Sequence, residues 1–173
     1  MCFFYKWVLS RRIRLRLKSA NRRREFCNFR KADTILVLFD VEDGDGILDF
    51  IGMLKVARKE VSAVAFGSGN GATGCCTDAG FVFIDENMGY LSKTVEAVEV
   101  MLGKSVFDLV LDMTKHGSLL RRYVLVLANA SLRVGISGRG GCVHDLLVLA
   151  PAGGELSVGE LGRQMVSYLS MIS

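Results

Sequence analysis

The chain has 173 residues, of which 50% are hydrophobic, and a formal net charge of +4 at pH 7. This length is typical of one domain and is too short for two full ones. No uninterrupted apolar run approaches the roughly 18 residues that cross a bilayer, which argues against an integral membrane protein. Lys6 interrupts the first apolar stretch and arginines follow it, so we expect no signal peptide and a cytoplasmic location, with membrane contact only at the periphery.

The cysteines favour a reducing compartment. They are Cys2, Cys27, Cys75, Cys76 and Cys142. An odd number without a C-x-x-C pair fits neither a disulfide framework nor a zinc ribbon. Since the chain has only two histidines, no thiolate and imidazole metal site is predicted.

The net charge hides a strong asymmetry between the start of the chain and the rest. Residues 1–31 hold eleven Lys and Arg against Glu25 alone, and residues 32–173 have a net charge of −6. We therefore divide the chain into a basic amphipathic N-terminal arm, residues 1–31, and an α/β domain, residues 32–173.

The arm carries two conflicting periodicities. Phe3, Phe4, Trp7 and Val8 follow a helical spacing, whereas residues 12–18 alternate between basic and apolar side chains, as a strand does. A basic N-terminal helix is favoured, because Arg, Lys and Leu are good helix formers and no hairpin signal is near.

Such an arm needs an acidic partner to offset its charge. The alternatives are the acidic body of the same chain, against which the first aromatic turns would be buried, an anionic membrane surface or other polyanion, and, less favoured, nucleic acid. No motif that reads DNA or RNA accompanies the basic residues. The side chains expected to contact an anionic surface are Lys6, Arg11, Arg12, Arg14, Arg16 and Lys18.

Beyond residue 31, short apolar runs alternate with helical patterns. Six runs are predicted as strands: 34–39, 61–66, 81–84, 107–111, 132–136 and 146–150. Four segments are predicted as helices: 47–59, 94–103, 119–130 and 158–172. The last of these begins with a capping box formed by Ser157 and Glu160.

These elements predict a Rossmann-like α/β fold, with a mostly parallel sheet of five or six strands and helices on both faces. Several strands are apolar at consecutive positions, which is typical of strands covered on both sides. The glycine-rich segment 67–80 interrupts the alternation, so one of the strands that it joins is open to an antiparallel arrangement at an edge.

Gly69, Gly71 and Gly74 form a G-x-G-x-x-G pattern of the kind that binds a dinucleotide. The pattern follows the second predicted strand instead of the first, and no helical pattern begins after it. It is therefore interpreted as an exposed loop, and no cofactor is assigned.

Acidic side chains follow three of the predicted strands, where a parallel sheet presents its crevice. With a nearby hydroxyl and amine they suit Mg²⁺-dependent phosphoryl transfer, whereas the plainer interpretation is that they cap turns and helices. Residues 40–44 depart from the D-x-D-G motif of haloacid-dehalogenase-like phosphatases, so no catalytic residue is assigned. The candidate crevice residues are Asp40, Asp43, Asp85, Asp112, Thr114 and Lys115.

Five further segments carry a resemblance; they are residues 23–29, 38–40, 107–112, 133–135 and 144–147. In these segments the chain resembles an uncharacterised bacterial family of unknown function. A weaker similarity, to the N-terminal Rossmann-like half of heptosyltransferase-like glycosyltransferases, rests on segments 107–112 and 132–135 and implies fold more than catalysis. The sequence thus favours a cytoplasmic binding or interaction module, with Mg²⁺-dependent phosphoryl transfer as the alternative.

Overall fold

The computed structural model describes residues 2–19, 22, 24–68, 81–87, 93–115, 117–137, 143–149 and 157–172. For residues 2–4, 19, 44, 45, 93 and 94 it describes the backbone alone. The predicted G-x-G-x-x-G loop lies outside the described residues, as do Cys75, Cys76 and Cys142.

The described residues form a six-stranded parallel sheet and five α-helices. The elements are, in chain order, α1 (Cys2–Ser19), β1 (Thr34–Asp40), a 3-10 turn (Val41–Asp43), α2 (Gly44–Val56), β2 (Glu60–Gly67), β3 (Phe81–Asp85), α3 (Lys93–Lys104), β4 (Val106–Asp112), α4 (Leu119–Leu127), β5 (Asn129–Ile136), β6 (Leu146–Val148) and α5 (Val158–Met171). The strand order is β3-β2-β1-β4-β5-β6. This order is that of dinucleotide-binding Rossmann folds, and it confirms the predicted α/β class.

All neighbouring strands run parallel, including β2 and β3, in which Ala63 pairs with Phe81. The predicted option that one of the strands joined by segment 67–80 runs antiparallel is therefore wrong. The predicted helix over 119–130 also ends earlier, at Leu127, because Ala128 turns to an extended conformation and β5 begins at Asn129.

Each central strand buries both of its faces, as the consecutive apolar residues predicted. On β1, Ile35, Val37 and Phe39 pack in a core with α2 and α5, whereas Leu36 and Leu38 point into a second core formed with α1, α3 and α4. Successive side chains of a strand point to opposite faces, so an apolar run of this kind is stable only between two helical layers.

Helices α2 and α5 approach each other closely at two glycines. A Cβ atom added to Gly159 would lie 2.5 Å from the carbonyl oxygen of Gly46, and one added to Gly162 would lie 2.8 Å from the ring of Phe50. The predicted capping box of α5 is present, with Ser157 accepting from the backbone of Glu160. This packing holds α5 across one face of the sheet.

Helix α1 packs on α4 through side chains spaced one turn apart. Leu9 is 0% exposed and Ile13 is 3% exposed, and both belong to the second core. Trp7 is 49% exposed, so its predicted burial against the body is wrong. No helix in the described part of the chain is long and apolar enough to cross a membrane.

At the amino edge of the sheet, Asp108 joins β4 to β1. Its carboxylate accepts the backbone N–H groups of Asp33 and Thr34 at 2.8 and 2.9 Å and the Thr34 hydroxyl at 3.0 Å. Burial alone would raise the pKa of Asp108, but these hydrogen bonds outweigh it and the pKa is lowered. The contribution of Asp108 to stability is therefore present above about pH 4 and is lost as the pH falls. This junction fixes the register of the two strands whose opposite ends form the candidate site.

Candidate functional site at the carboxyl edge of the sheet

The sheet changes direction between β1 and β4, because the chain continues from β1 to one side and from β4 to the other. Such a switch point opens a crevice beyond the carboxyl ends of the two strands, and open α/β sheets bind ligands there. Asp40 is the last residue of β1 and Asp112 is the last residue of β4. Two of the candidate carboxylates therefore stand at the switch point.

Arg121, in the first turn of α4, is the centre of a charged network at this crevice. It donates to Glu86 through Nε at 3.0 Å and through Nη2 at 2.6 Å, which is a bidentate pair. Its Nη1 lies 2.6 Å from Oδ1 of Asp40, as a close ion pair without hydrogen-bond geometry. Its guanidinium also stacks on Phe66, with the central carbon 5.3 Å from the ring centroid. One arginine thus joins β1, the end of β3 and α4.

The hydroxyl of Ser118 links the cap of α4 to the same network. It accepts the backbone N–H of Arg121, as an N-cap residue does, and donates to Oε1 of Glu86 at 2.6 Å. No sequence motif includes Ser118, because its role depends on Glu86, which follows β3.

Asp40 is 5% exposed and its second oxygen is also occupied. Oδ2 accepts the backbone N–H of Lys115 at 2.7 Å. Burial raises the pKa of Asp40, although the Lys115 hydrogen bond and the charge of Arg121 act in the opposite direction. The ammonium group of Lys115 reaches Asp43 at 2.6 Å, so Lys115 binds the carboxylates of both β1 and the 3-10 turn.

Asp112 forms a second group with Thr114 and His144. Its Oδ1 accepts the Thr114 hydroxyl at 2.7 Å, and its Oδ2 lies 2.9 Å from Nε2 of His144. Nδ1 of His144 is buried and has no hydrogen-bond partner within the described ranges. A Cβ atom added to Gly135 would lie 2.5 Å from the His144 ring, so only a glycine at this position of β5 leaves room for the ring beside Asp112.

The structure therefore places five of the six candidate crevice residues together. Asp40, Asp43 and Lys115 form one group, and Asp112 and Thr114 form the other at the neighbouring strand end. Asp85 instead accepts the backbone N–H of Asn87 at 2.9 Å and closes the turn after β3, while its neighbour Glu86 reaches Arg121.

Glu86, Arg121 and His144 complete the site. Glu86 follows the third predicted strand and belongs to the acidic side chains expected at this edge, whereas Arg121 and His144 were not among the candidate residues. Arg121 lies on α4 and His144 lies between β5 and β6, and the packing of these elements brings both side chains to the ends of β1 and β4. The one usable signal for His144 is Gly135, a glycine inside a buried strand, which often marks a close approach by another group.

A cavity of about 280 Å³ opens beside these residues, and we call it the switch-point cavity. Its polar lining comes from the end of β4, the first turn of α4 and His144, and Leu119, Leu125 and Val143 supply apolar lining. The polar side chains are Asp112, Thr114, Ser118, Arg121, Arg122 and His144. Among the described residues, no group of three or more His, Cys, Asp or Glu side chains stands close enough to hold a metal ion.

The basic residues of α1 divide between two directions. Arg11, Arg14 and Lys18 lie on the helix face opposite Leu9 and Ile13 and are exposed. Lys6 is also exposed, but it lies on the side of the helix that carries Leu9 and Ile13. Arg12 turns towards the body, with its Nη1 3.7 Å from Glu99, and Arg16 lines a cavity at the amino edge of the sheet.

Fold and site together define a Rossmann-like α/β protein with a charged crevice at its switch point. A family model described as a family of unknown function, DUF6913, matches residues 3–172, and the chain belongs to this family. No curated protein and no solved structure matches the chain. The similarity to heptosyltransferase-like glycosyltransferases is not supported.

Proposed function

We propose that this protein is a binding module whose small polar ligand occupies the switch-point cavity. The observation that carries the proposal is that the polar wall of this cavity is fixed before any ligand arrives. Asp112 holds His144, and Glu86 holds both Arg121 and Ser118. Side chains held in this way lose little conformational entropy when a ligand binds, which favours affinity.

The lining favours a ligand with hydroxyl or phosphate groups. Arg122 is exposed at the cavity and lies in the first turn of α4, where the helix dipole attracts an anion. The carboxylate of Asp112 keeps lone pairs beside its contacts with Thr114 and His144, so it can accept a ligand hydroxyl without losing them. Ligand pockets usually measure about 300–1,000 Å³, and this cavity of about 280 Å³ suits a small phosphorylated or hydroxylated molecule better than a dinucleotide.

Mg²⁺-dependent phosphoryl transfer is the second candidate, favoured by the carboxylates of Asp40 and Asp112 and the nearby amine of Lys115. The geometry gives it less support. Both oxygens of Asp40 face a cation or an N–H group, and those of Asp112 face Thr114 and His144. A metal ion would have to displace these partners before it could bind two carboxylates.

A thermal-shift screen with phosphorylated sugars, nucleotides and Mg²⁺ tests both candidates. A ligand at ten times its Kd should raise Tm by about 3–6 °C, because it binds the folded state alone. Arg122→Gln should abolish the shift with little loss of stability, since this side chain is exposed. The charge-matched control, Arg163→Gln on α5, should keep it.

Two results would contradict the binding proposal. If no compound of the panel changes Tm, the cavity binds none of these ligands and the proposal is wrong. A shift that requires Mg²⁺ and disappears in Asp112→Asn, together with a phosphatase activity lost in the same variant, replaces binding with phosphoryl transfer.

For the arm, residues 1–31, we propose peripheral contact with an anionic membrane surface in the cytoplasm. Trp7, Arg11, Arg14 and Lys18 follow i, i+4, i+7 and i+11 spacing and form one outward stripe on α1. The buried Leu9 and Ile13 lie on the opposite side, so the stripe faces away from the body. An aromatic ring among cations is typical of helices that lie on anionic lipid.

Liposome sedimentation tests this contact. Each cation near an anionic surface contributes about 1 kcal/mol, so Arg14→Gln with Lys18→Gln should weaken binding about 30-fold. The matched control, Lys55→Gln with Arg163→Gln, removes two exposed cations from α2 and α5 and should bind as the unmodified protein does. Equal binding by both double variants would contradict the proposal, and steeply salt-dependent binding of nucleic acid without liposome binding would replace it.

A further inference from the structure

A second cavity, of about 330 Å³, lies at the amino edge of the sheet. It is bounded by α1, by the carboxyl ends of α3 and α4, and by the first residues of β4 and β5. Four of its lining side chains are cationic, and no acidic side chain of the described residues lines it. The cations are Arg16, Arg22, Lys104 and Arg133.

Two of these cations are almost fully buried. Arg133 is 5% exposed and the side chain of Arg22 is 7% exposed. Nη1 of Arg22 and Nε of Arg133 are buried and have no hydrogen-bond partner among the residues that the structure describes. A buried N–H group of a charged side chain that lacks an acceptor is strongly unfavourable, so two at one cavity indicate a missing acceptor.

In the described part of the chain, the carboxylate that contacts this pair is that of Asp145, and both of its oxygens are occupied. Asp145 accepts from Nη2 of Arg22 at 2.5 Å and from the backbone N–H of Arg133 at 2.9 Å, and it lies 3.9 Å from Nε of Arg24. Burial, followed by the charge of Arg22, lowers the pKa of Arg133 to about 10. Arg133 is still charged at neutral pH, so the positive charge at the cavity exceeds the negative charge beside it.

Arg133 also has a structural role, but that role does not explain why its Nε and the side chain of Arg22 are buried at this cavity. Its Nη2 donates to the carbonyl oxygens of Val126 and Ala128, at 3.3 and 2.9 Å, and thereby caps the end of α4. Capping of this kind requires one donor nitrogen. It does not require a second buried arginine that points at the same cavity.

We propose that the amino-edge cavity is a binding site for an anion of the phosphate class, with Arg22 and Arg133 as its buried ligands and Arg16 and Lys104 at its rim. A phosphate group accepts several N–H donors at once, which is the chemistry that the two orphaned nitrogens need. The site is independent of the switch-point cavity, which lies at the opposite edge of the sheet.

Thermal shift with inorganic pyrophosphate at matched ionic strength tests the site in the full chain. At ten times Kd, Tm should rise by about 3–6 °C. Arg22→Met should abolish the rise, and Arg163→Met, which removes an exposed cation from the other face of the sheet, should keep it. Because Arg133→Met also removes the cap of α4, Arg22→Met is the primary variant and Arg133→Met, if folded, should behave in the same way.

The source of the phosphate group is decided by a second measurement, sedimentation with vesicles that contain phosphatidic acid. Binding of pyrophosphate in solution identifies a free phosphate compound, and binding of vesicles alone identifies a lipid headgroup, provided that Arg22→Met loses it. The proposal is overturned if neither probe binds, or if binding of both persists in Arg22→Met.

Discussion

Replacing Arg121 by methionine should lower the free energy of unfolding by about 3–5 kcal/mol, because it leaves a buried carboxylate without its counter-charge. Asp40 is 5% exposed and would keep only the backbone N–H of Lys115, and Glu86 would lose a bidentate partner. For a chain of about this length, a loss of that size lowers Tm by about 6–20 °C. Urea titration monitored by circular dichroism measures the change directly.

The neighbouring residue supplies the control. Arg122→Met removes the same charge from an exposed position on the same helix and should change stability by no more than about 0.5 kcal/mol. Arg121→Lys should recover part of the loss, since it restores a charge but not the bidentate geometry. Equal stability of Arg121→Met and Arg122→Met would show that the network does not stabilise the fold.

The effect of Arg121→Met on stability should depend on pH. The pKa of Asp40 is raised, so the folded state binds its proton more readily than the unfolded state, and ionisation of Asp40 lowers stability as the pH rises above about 4. Without Arg121 this pKa should rise further. The stability difference between Arg121→Met and the unmodified protein should therefore shrink as the pH falls.

The parallel sheet could be predicted from sequence because a strand that is buried on both faces is apolar at consecutive positions. Residues 35–39 are all apolar, and the structure points alternate ones into two different cores. The edge strands were harder to predict. The direction of β3 is set by its pairing with β2, and a strand of five residues carries no signal of its own for that pairing.

Only those crevice residues that directly follow a predicted strand could be predicted from sequence. Asp40 and Asp112 follow apolar runs, and parallel strands bring their carboxyl ends to one edge whatever their order. Arg121 on α4 and Glu86 after β3 meet only in the folded sheet, whose strand order no local pattern encodes. The arginine pair that follows Leu119 and Leu120 at the start of α4 is the signal that comes nearest, because an arginine that is buried with such a turn requires a carboxylate partner.

Helix α1 shows why the arm was difficult to predict. The spacing of Phe3, Phe4, Trp7 and Val8 predicts one apolar stripe, yet the residues that contact α4 are centred on Leu9 and Ile13. A helix with apolar residues at many angles has several candidate faces. Packing against α4 determines which of these faces is buried, and the buried face is the one whose side chains complete the core around α4.

Leu9→Ala should therefore destabilise the protein by about 2–5 kcal/mol, as for other fully buried leucines, because it opens a cavity in the core shared by α1, α3 and α4. Leu15→Ala is the matched control: it makes the same substitution on the same helix at a side chain that is 56% exposed, and it should change stability by about 0.5 kcal/mol or less. Chemical denaturation of both variants in the full chain measures the difference. A docked α1 requires Leu9→Ala to be far less stable than Leu15→Ala and to bind more of a dye specific for exposed apolar surface. If the two variants unfold at the same denaturant concentration, α1 contributes nothing to the core, and the arm is an interaction segment whose partner alone holds it in place.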